Sequence, residues 1–183
     1  MSDRERTGDV PAIVAAAARM RVTLGFICGA LVFWLARPTG TTIAVGTIVA
    51  VAGELVRVWA AGHLNKSREV TTSGPYRWVA HPLYLGSALI GAGLAIASAS
   101  VLVAAIVAAY LAVTVTAAIS SEEAFLRDVF GAEYDEYRHA GTVDADRRFS
   151  LRRAIVNREH RAMVGLAIAV LLLAWKATYN GSF

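Results

Sequence analysis

Apolar residues along this 183-residue chain fall in long blocks separated by polar ones. The first block, Val22–Ala36, is flanked by Arg21 and Arg37, and Pro38 with Gly40 then predicts a turn. A second block covers Thr41–His63 and carries Glu54 and Arg57 in its later half. Residues 64–81 are polar and read as a loop. The forty residues from Pro82 to Ser121 contain no charged side chain. That is about twice the ~20 residues a helix needs to cross a bilayer. Ser98-Ala99-Ser100 marks the middle, so the pattern predicts a helical hairpin over 82–98 and 100–121. The charged segment 122–161 places Leu126, Phe130, Tyr134 and Tyr137 at helical spacing. That spacing predicts an amphipathic helix at the membrane surface, weakened by Gly131. A short apolar block, Ala162–Trp175, comes last, and residues 1–21 form a polar arm. The expected fold class is all-α: one polytopic membrane bundle of about five spans, at 22–36, 41–63, 82–98, 100–121 and 162–175.

Composition sharpens this picture. The chain is 56% hydrophobic and 17% charged, against about 45–50% and about 25% in soluble domains. Soluble, disordered and collagen-like classes are excluded. Five spans use about 100 residues, which leaves no room for a separate soluble catalytic domain, so any chemistry sits at the membrane. Sixteen Arg and two Lys oppose fourteen acidic residues, for a net charge of +4. Fifteen of the basic residues lie in 1–21, 64–81 and 122–161. The positive-inside rule puts these segments, with the N-terminus, on the cytoplasmic side. The basic excess therefore reflects topology, not nucleic-acid binding. The preference for Arg over Lys and the alanine richness fit a bacterial inner membrane. Cys28 is the single cysteine, which excludes an internal disulfide and a metal site built from several cysteines; no metal site is expected. The opening Met-Ser-Asp-Arg-Glu-Arg lacks the pattern of a secretory signal, so the first apolar block is expected to stay in the mature protein.

Two segments are dense in residues that carry chemistry. The first is Ser73-Gly74-Pro75-Tyr76-Arg77-Trp78-Val79-Ala80-His81-Pro82-Leu83-Tyr84-Leu85-Gly86, where the loop enters the hairpin. Pro82 suits the first turn of a helix, and the free N–H groups and dipole there favour an anion. Its aromatic residues would equally serve as an interfacial belt. The second is Ser120-Ser121-Glu122-Glu123, at the other end of the hairpin and on the same membrane face. Its carboxylates can hold hydroxyls or an ammonium group. The Ser120–Glu123 spacing also reads as a capping box that starts a helix.

Together these residues resemble the isoprenylcysteine carboxyl methyltransferase family, which is grouped with the phospholipid N-methyltransferases. The resemblance runs from about Lys66 to Arg138 and rests on Gly-Pro-Tyr-Arg, His-Pro-x-Tyr-x-Gly, the uncharged hairpin, and Glu-Glu-x-x-Leu followed by Phe-Gly-x-x-Tyr-x-x-Tyr. It implies S-adenosylmethionine as methyl donor, bound at the cytoplasmic face. His81, Pro82, Leu83 and Tyr84 match the family's cofactor-binding tetrapeptide. Tyr76 matches a cofactor-contacting tyrosine, with Arg77 beside it, and Arg68, Glu69, Val70 and Thr71 align with another contacting stretch. Glu122 and Glu123 match the acidic pair near cofactor and acceptor. With His81, they are the candidate catalytic residues. The family usually has Arg before His-Pro, where this chain has Ala80; Arg77 is the candidate to supply that charge. Arg147 and Arg148 follow the tyrosines without the family's proline. Both departures bear on the acceptor, for which a prenylated carboxyl compound, an amine headgroup, and a quinone-like or thiol metabolite all remain open.

Methyl transfer fits these side chains. The task is to align an acceptor lone pair with the donor methyl. A carboxylate acceptor needs no base, whereas an amine, thiol or phenol must lose a proton, for which His81, Glu122 or Glu123 are candidates. A steroid-reductase-type enzyme shares His-Pro-x-Tyr but usually has Asn at x and Glu after the glycine, where this chain has Leu83 and Ser87. A non-catalytic membrane scaffold is the third reading. Elsewhere, Glu54 and Arg57 stand at i,i+3 and are expected to pair along one helix. His63 and Asn65 are candidates to reach the donor site. Gly25 and Gly29 read as a helix-packing pattern. Gly91-Ala92-Gly93 is too weak to be a dinucleotide motif. Arg147, Arg148, Arg152 and Arg153 are expected to form a lipid-facing basic patch.

Overall fold

The structure, a computed structural model, describes residues 12–65, 69–140 and 147–182. These form seven α-helices and no strand: α1 (Ala12–Leu35), α2 (Gly40–His63), α3 (Pro82–Ser98), α4 (Val101–Phe130), α5 (Ala132–Ala140), α6 (Leu151–Val156) and α7 (Glu159–Tyr179), with a single 3-10 turn at Gly74–Arg77. The molecule is a helical membrane bundle. By length and composition α2, α4 and α7 can each cross a bilayer, and the apolar helical stretches Gly25–Leu35 and Pro82–Ser98 are shorter.

Several helices extend beyond their apolar blocks. Helix α1 is already helical at Ala12, well before Val22, because alanine and arginine are strong helix formers. Arg21 bounds a hydrophobic stretch, but nothing about it stops a helix. The same reasoning corrects the reading of Ser120–Glu123. Helix α4 runs without a break for 30 residues, about 45 Å, from the apolar hairpin into the charged segment. Ser120 therefore lies inside a helix, and the capping-box reading fails. The real cap is Ser100, whose side chain accepts from the Val103 N–H. Ala99 turns the hairpin in a left-handed conformation, φ 49°. Helix α4 ends at Gly131, with φ 48° and ψ −119°. The amphipathic face expected over 122–161 is thus divided between two helices. Its apolar residues pack inward: Leu126 and Phe130 on α4 and Tyr134 and Tyr137 on α5 surround Val70 of the loop.

Helices α2 and α3 form the tightest pair. A Cβ on Gly46 would lie 2.4 Å from the Gly93 carbonyl oxygen, and one on Gly53 would lie 2.7 Å from that of Gly86. Two glycines seven residues apart on each helix bring the backbones together, as small residues do in membrane bundles. Gly29 does not take part in such packing; nothing lies within 4 Å of a Cβ built there. Gly25 instead makes room for the Tyr110 hydroxyl.

The far end of the bundle is knotted by polar backbone contacts. Thr39 and Thr42 form a capping box at the start of α2. The Arg37 N–H donates to the Ser98 carbonyl at 2.7 Å. Lys176 of α7 donates to the Phe33 and Trp34 carbonyls at the end of α1. Ala36, Ile43, Ala97, Leu173 and Ala177 make the buried core there. This leaves the opposite end, where α2 finishes and α3 starts, to carry the site.

Candidate active site

The loop that enters α3 is shaped by Gly74 and Pro75. Gly74 has φ 60°, and a Cβ there would lie 2.6 Å from the His63 ring. Only glycine satisfies both conditions. The 3-10 turn that follows buries Tyr76. The Tyr137 hydroxyl of α5 donates to the Tyr76 carbonyl at 2.7 Å, tying loop to helix. His81 occupies the N-cap position of α3, and Pro82 follows at the first helical position. The His81 side chain does not cap the helix. Its Nε2 lies 3.1 Å from Glu123 Oε1, and its Nδ1 lies 3.9 Å from Glu122 Oε2.

These elements surround a cavity of about 590 Å³, within the size range of small-molecule sites. Glu69, Val70, Thr71 and Tyr76 reach it from the loop, Leu83 and Tyr84 from α3, and Glu122 from α4. His81 and Glu123 stand beside it as a hydrogen-bonded pair and are not part of its lining, and Pro82 is buried at the start of α3. Arg77 is exposed and off the wall, whereas Ala80 is on it. Arg68 lies outside the described residues.

Arg57, Thr114, Ser121, Phe125 and Tyr134 complete much of the wall and were not legible as site residues. Arg57 had a signal, as an arginine in an apolar helix, and the expected pairing with Glu54 is present, but a second carboxylate binds it more closely. Its guanidinium binds Glu159 of α7 through Nε at 3.1 Å and Nη2 at 2.9 Å, while Glu54 lies 3.9 Å away. Helical spacing identifies neighbours on one helix; it is silent about a better-placed carboxylate on another.

Two ionisable groups of the loop are shifted by their surroundings. A hydrogen bond from Arg147 holds the Glu69 carboxyl below its ordinary range. Burial, followed by the nearby Glu122 carboxylate, pushes the Tyr76 phenol up, so it stays protonated. The wall thus presents the Glu69 and Glu122 carboxylates beside phenolic rings. His63 is buried beside Trp59 and Phe149 and does not reach the cavity. The Asn65 N–H donates to Thr71 Oγ1, supporting the loop from behind.

The segment 147–157 braces this end. The last carbonyls of a helix lack intrahelical donors. Here Asn157 Nδ2 donates to Ala61 and Leu64, Arg153 Nε to Gly62, the Ser150 N–H also to Gly62, and Arg147 to His63. The expected lipid-facing patch is therefore half wrong: Arg147 and Arg153 turn inward to satisfy α2, and Arg148 and Arg152 are exposed.

A second cavity, about 560 Å³, lies between α1, α3 and α4, with Phe26, Ser87, Tyr110 and Leu111 on its wall. It shares Tyr84, Thr114 and Ala118 with the first. Among the described residues there is no group of three or more His, Cys, Asp or Glu side chains that could hold a metal ion.

A family model described as phospholipid methyltransferase matches residues 16–133. The chain belongs to that family. The matched range contains α2, α3, α4, the loop between α2 and α3, and most of the cavity wall. Among curated proteins, this phospholipid methyltransferase family member is 32% identical over 127 residues to the cobalt-zinc-cadmium resistance protein CzcN of Cupriavidus metallidurans, covering 64% of this chain and 57% of the relative. It is 34% identical over 106 residues to the nickel-cobalt-cadmium resistance protein NccN of Alcaligenes xylosoxydans xylosoxydans, covering 57% and 48%. The chain thus spans about half the length of the curated relatives it matches. No solved structure matches it.

Proposed function

We propose that this protein is an S-adenosylmethionine-dependent membrane methyltransferase acting on a lipid-like acceptor. One observation carries the reading: residues from two motifs far apart in sequence, Tyr76 and Tyr84 from one and Glu122 from the other, meet on one cavity of mixed lining that adjoins a more apolar one. Family membership supports the reaction class.

The residues present fit this donor. Its sulfonium and ammonium groups are cationic, and Glu69 and Glu122 supply carboxylates for them and for ribose hydroxyls. Tyr76, Tyr84 and Tyr134 offer aromatic surface to the adenine. When bound, the donor supplies an activated methyl group: its carbon–sulfur bond breaks as the acceptor–carbon bond forms, leaving a neutral thioether. The protein's part is alignment of the acceptor lone pair with that methyl. The second cavity would take the acceptor's apolar portion, and shared Tyr84 and Thr114 would set the reacting group against the first. For an amine acceptor, Glu122 would receive the released proton, with the hydrogen-bonded His81–Glu123 pair behind it. A prenylated carboxyl acceptor would react without that step. Under the positive-inside rule the donor enters from the cytoplasm of a bacterial inner membrane and the acceptor from the bilayer.

The test is calorimetric binding of S-adenosylmethionine to protein in detergent, comparing wild type with Glu122→Gln and His81→Ala. Saturable binding by wild type, weakened at least about tenfold in Glu122→Gln through loss of a charge-assisted contact, is the expected result. Transfer of labelled methyl into membrane lipid extract then identifies the acceptor class. A folded wild type that binds NADPH and not S-adenosylmethionine would replace this reading with a reductase.

A further inference from the structure

Arg57 is an unusual group to find on the wall of a site for a cationic donor. Among the described residues it is the one basic side chain lining the main cavity. Its donors are committed elsewhere. Nε and Nη2 engage both oxygens of Glu159, at 3.1 Å and 2.9 Å, and Nη1 donates to Ser87 Oγ at 2.5 Å and to the Leu83 carbonyl at 3.4 Å. Glu159 is buried. Glu54 is buried as well, with Oε2 3.9 Å from Arg57 Nε and no hydrogen bond to either carboxylate oxygen. The cluster therefore connects α2, α3 and α7, and it touches α3 in its first turn, at the residue before Tyr84.

An arginine so placed has a clear structural use, since it donates to the Ser87 hydroxyl, which itself donates to the Leu83 carbonyl, and so braces the turn that carries Tyr84. Left bare, its charge would oppose a sulfonium in the same low-dielectric cavity. A unit charge about 10 Å away, at an effective dielectric of about 20, changes binding by about tenfold. We propose that Glu159 is a positioning and charge-balancing residue of the donor site: it orients Arg57 and cancels its field, so that the cavity prefers the cationic sulfonium donor to the neutral thioether product. This rests on the donor reading given above. It adds a determinant on α7, outside the residues matched by the family model.

The test uses two ligands that differ only at sulfur. S-adenosylmethionine and S-adenosylhomocysteine share adenine, ribose and amino-acid groups, so a merely structural loss weakens both alike. Only a change in the local field moves the ratio of their dissociation constants. Because Glu54 is close enough to replace Glu159, the decisive variant is E54Q/E159Q. Titrations of the full chain in detergent should show S-adenosylmethionine weakened about tenfold more than S-adenosylhomocysteine. Adding Arg57→Gln to that variant should return the ratio to the wild-type value. An unchanged ratio in E54Q/E159Q overturns the proposal while leaving the donor reading intact. Wild type that binds neither ligand overturns both. Should E54Q/E159Q not yield monodisperse protein, R57Q with both carboxylates kept gives the decision from the other side. Its uncancelled negative charge should shift the ratio towards the sulfonium, E54Q/R57Q/E159Q should return it to the wild-type value, and equal ratios in the two overturn the proposal.

Discussion

Tyr137 and Glu69 show how single side chains hold the donor loop. The Tyr137 hydroxyl is the donor to the carbonyl of buried Tyr76. Tyr137→Phe removes it and leaves that carbonyl short of a partner, at a cost of about 1–3 kcal/mol. A lower thermal midpoint in detergent, with donor binding weakened several-fold, is expected; an unchanged midpoint would mean that water or another group takes over. Glu69 makes a pH prediction. Its carboxyl is lowered from an ordinary value of 4.5 by Arg147. A group with a depressed folded value contributes stability that is fully present above its unfolded value and is lost as pH falls through the folded one. The Glu69–Arg147 contribution is therefore intact at neutral pH, begins to fall near pH 4.5 and is lost as pH drops through the lower folded value. Partial exposure keeps it modest. Thermal midpoints of wild type and Arg147→Gln should differ at pH 7 and converge as pH falls further below 4.5, and a difference that stays constant on acidification would refute the pairing.

Among elements, the α2–α3 contact is where the fold is least forgiving. A Cβ at Gly46 or Gly93 meets backbone atoms of the facing helix at 2.4–2.5 Å, and backbone cannot swing aside as a side chain can. Gly46→Ala or Gly93→Ala should destabilise by about 1–3 kcal/mol, as overpacking does. Gly29→Ala on α1 faces open space and should be neutral or slightly stabilising, since alanine is the better helix former. Unfolding of the three variants side by side in one detergent decides this; equal midpoints would show that α2 and α3 do not pack so closely. Helix α4 carries the other lesson at this scale. Its charged end continues the apolar hairpin helix, so Glu122 and Glu123 are delivered to the site on a rigid rod rather than on a loop. Gly131 then lets α5 fold back, so that Tyr134 and Tyr137 close over Val70.

At the scale of the whole molecule, one end of the bundle is locked and the other is hollow. Capping contacts and a small-residue core close the end where α1 meets α2 and α3 meets α4. At the opposite end the helices diverge around two cavities with shared walls. The partly buried Arg57–Glu159 pair ties α7 to this end. Glu159 is buried, and Glu54 at 3.9 Å from Arg57 takes up part of the loss, so Glu159→Ala should cost less than the about 3–5 kcal/mol of a fully buried pair and still lower the thermal midpoint more than any surface change on α7. A midpoint within a degree or two of wild type would place that pair in water rather than in the bundle.

Hydrophobic patterning alone determined the helical membrane class, the hairpin turning at Ala99, and the helix start at Pro82. These are legible because an apolar helix must bury its backbone polar groups and because proline and small polar residues act locally. Motif resemblance singled out Tyr76, His81, Tyr84 and Glu122 as a group worth bringing together. The extension of α1 upstream of Val22 and the end of α4 at Phe130 were not legible, because hydropathy reports where lipid is, while backbone hydrogen bonding continues past charged residues that favour helix. The Arg57–Glu159 pair, the inward turn of Arg147 and Arg153, and the two adjoining cavities came only with the tertiary structure. Each depends on which side chains from distant segments arrive within a few ångströms of each other, and no local spacing rule encodes that.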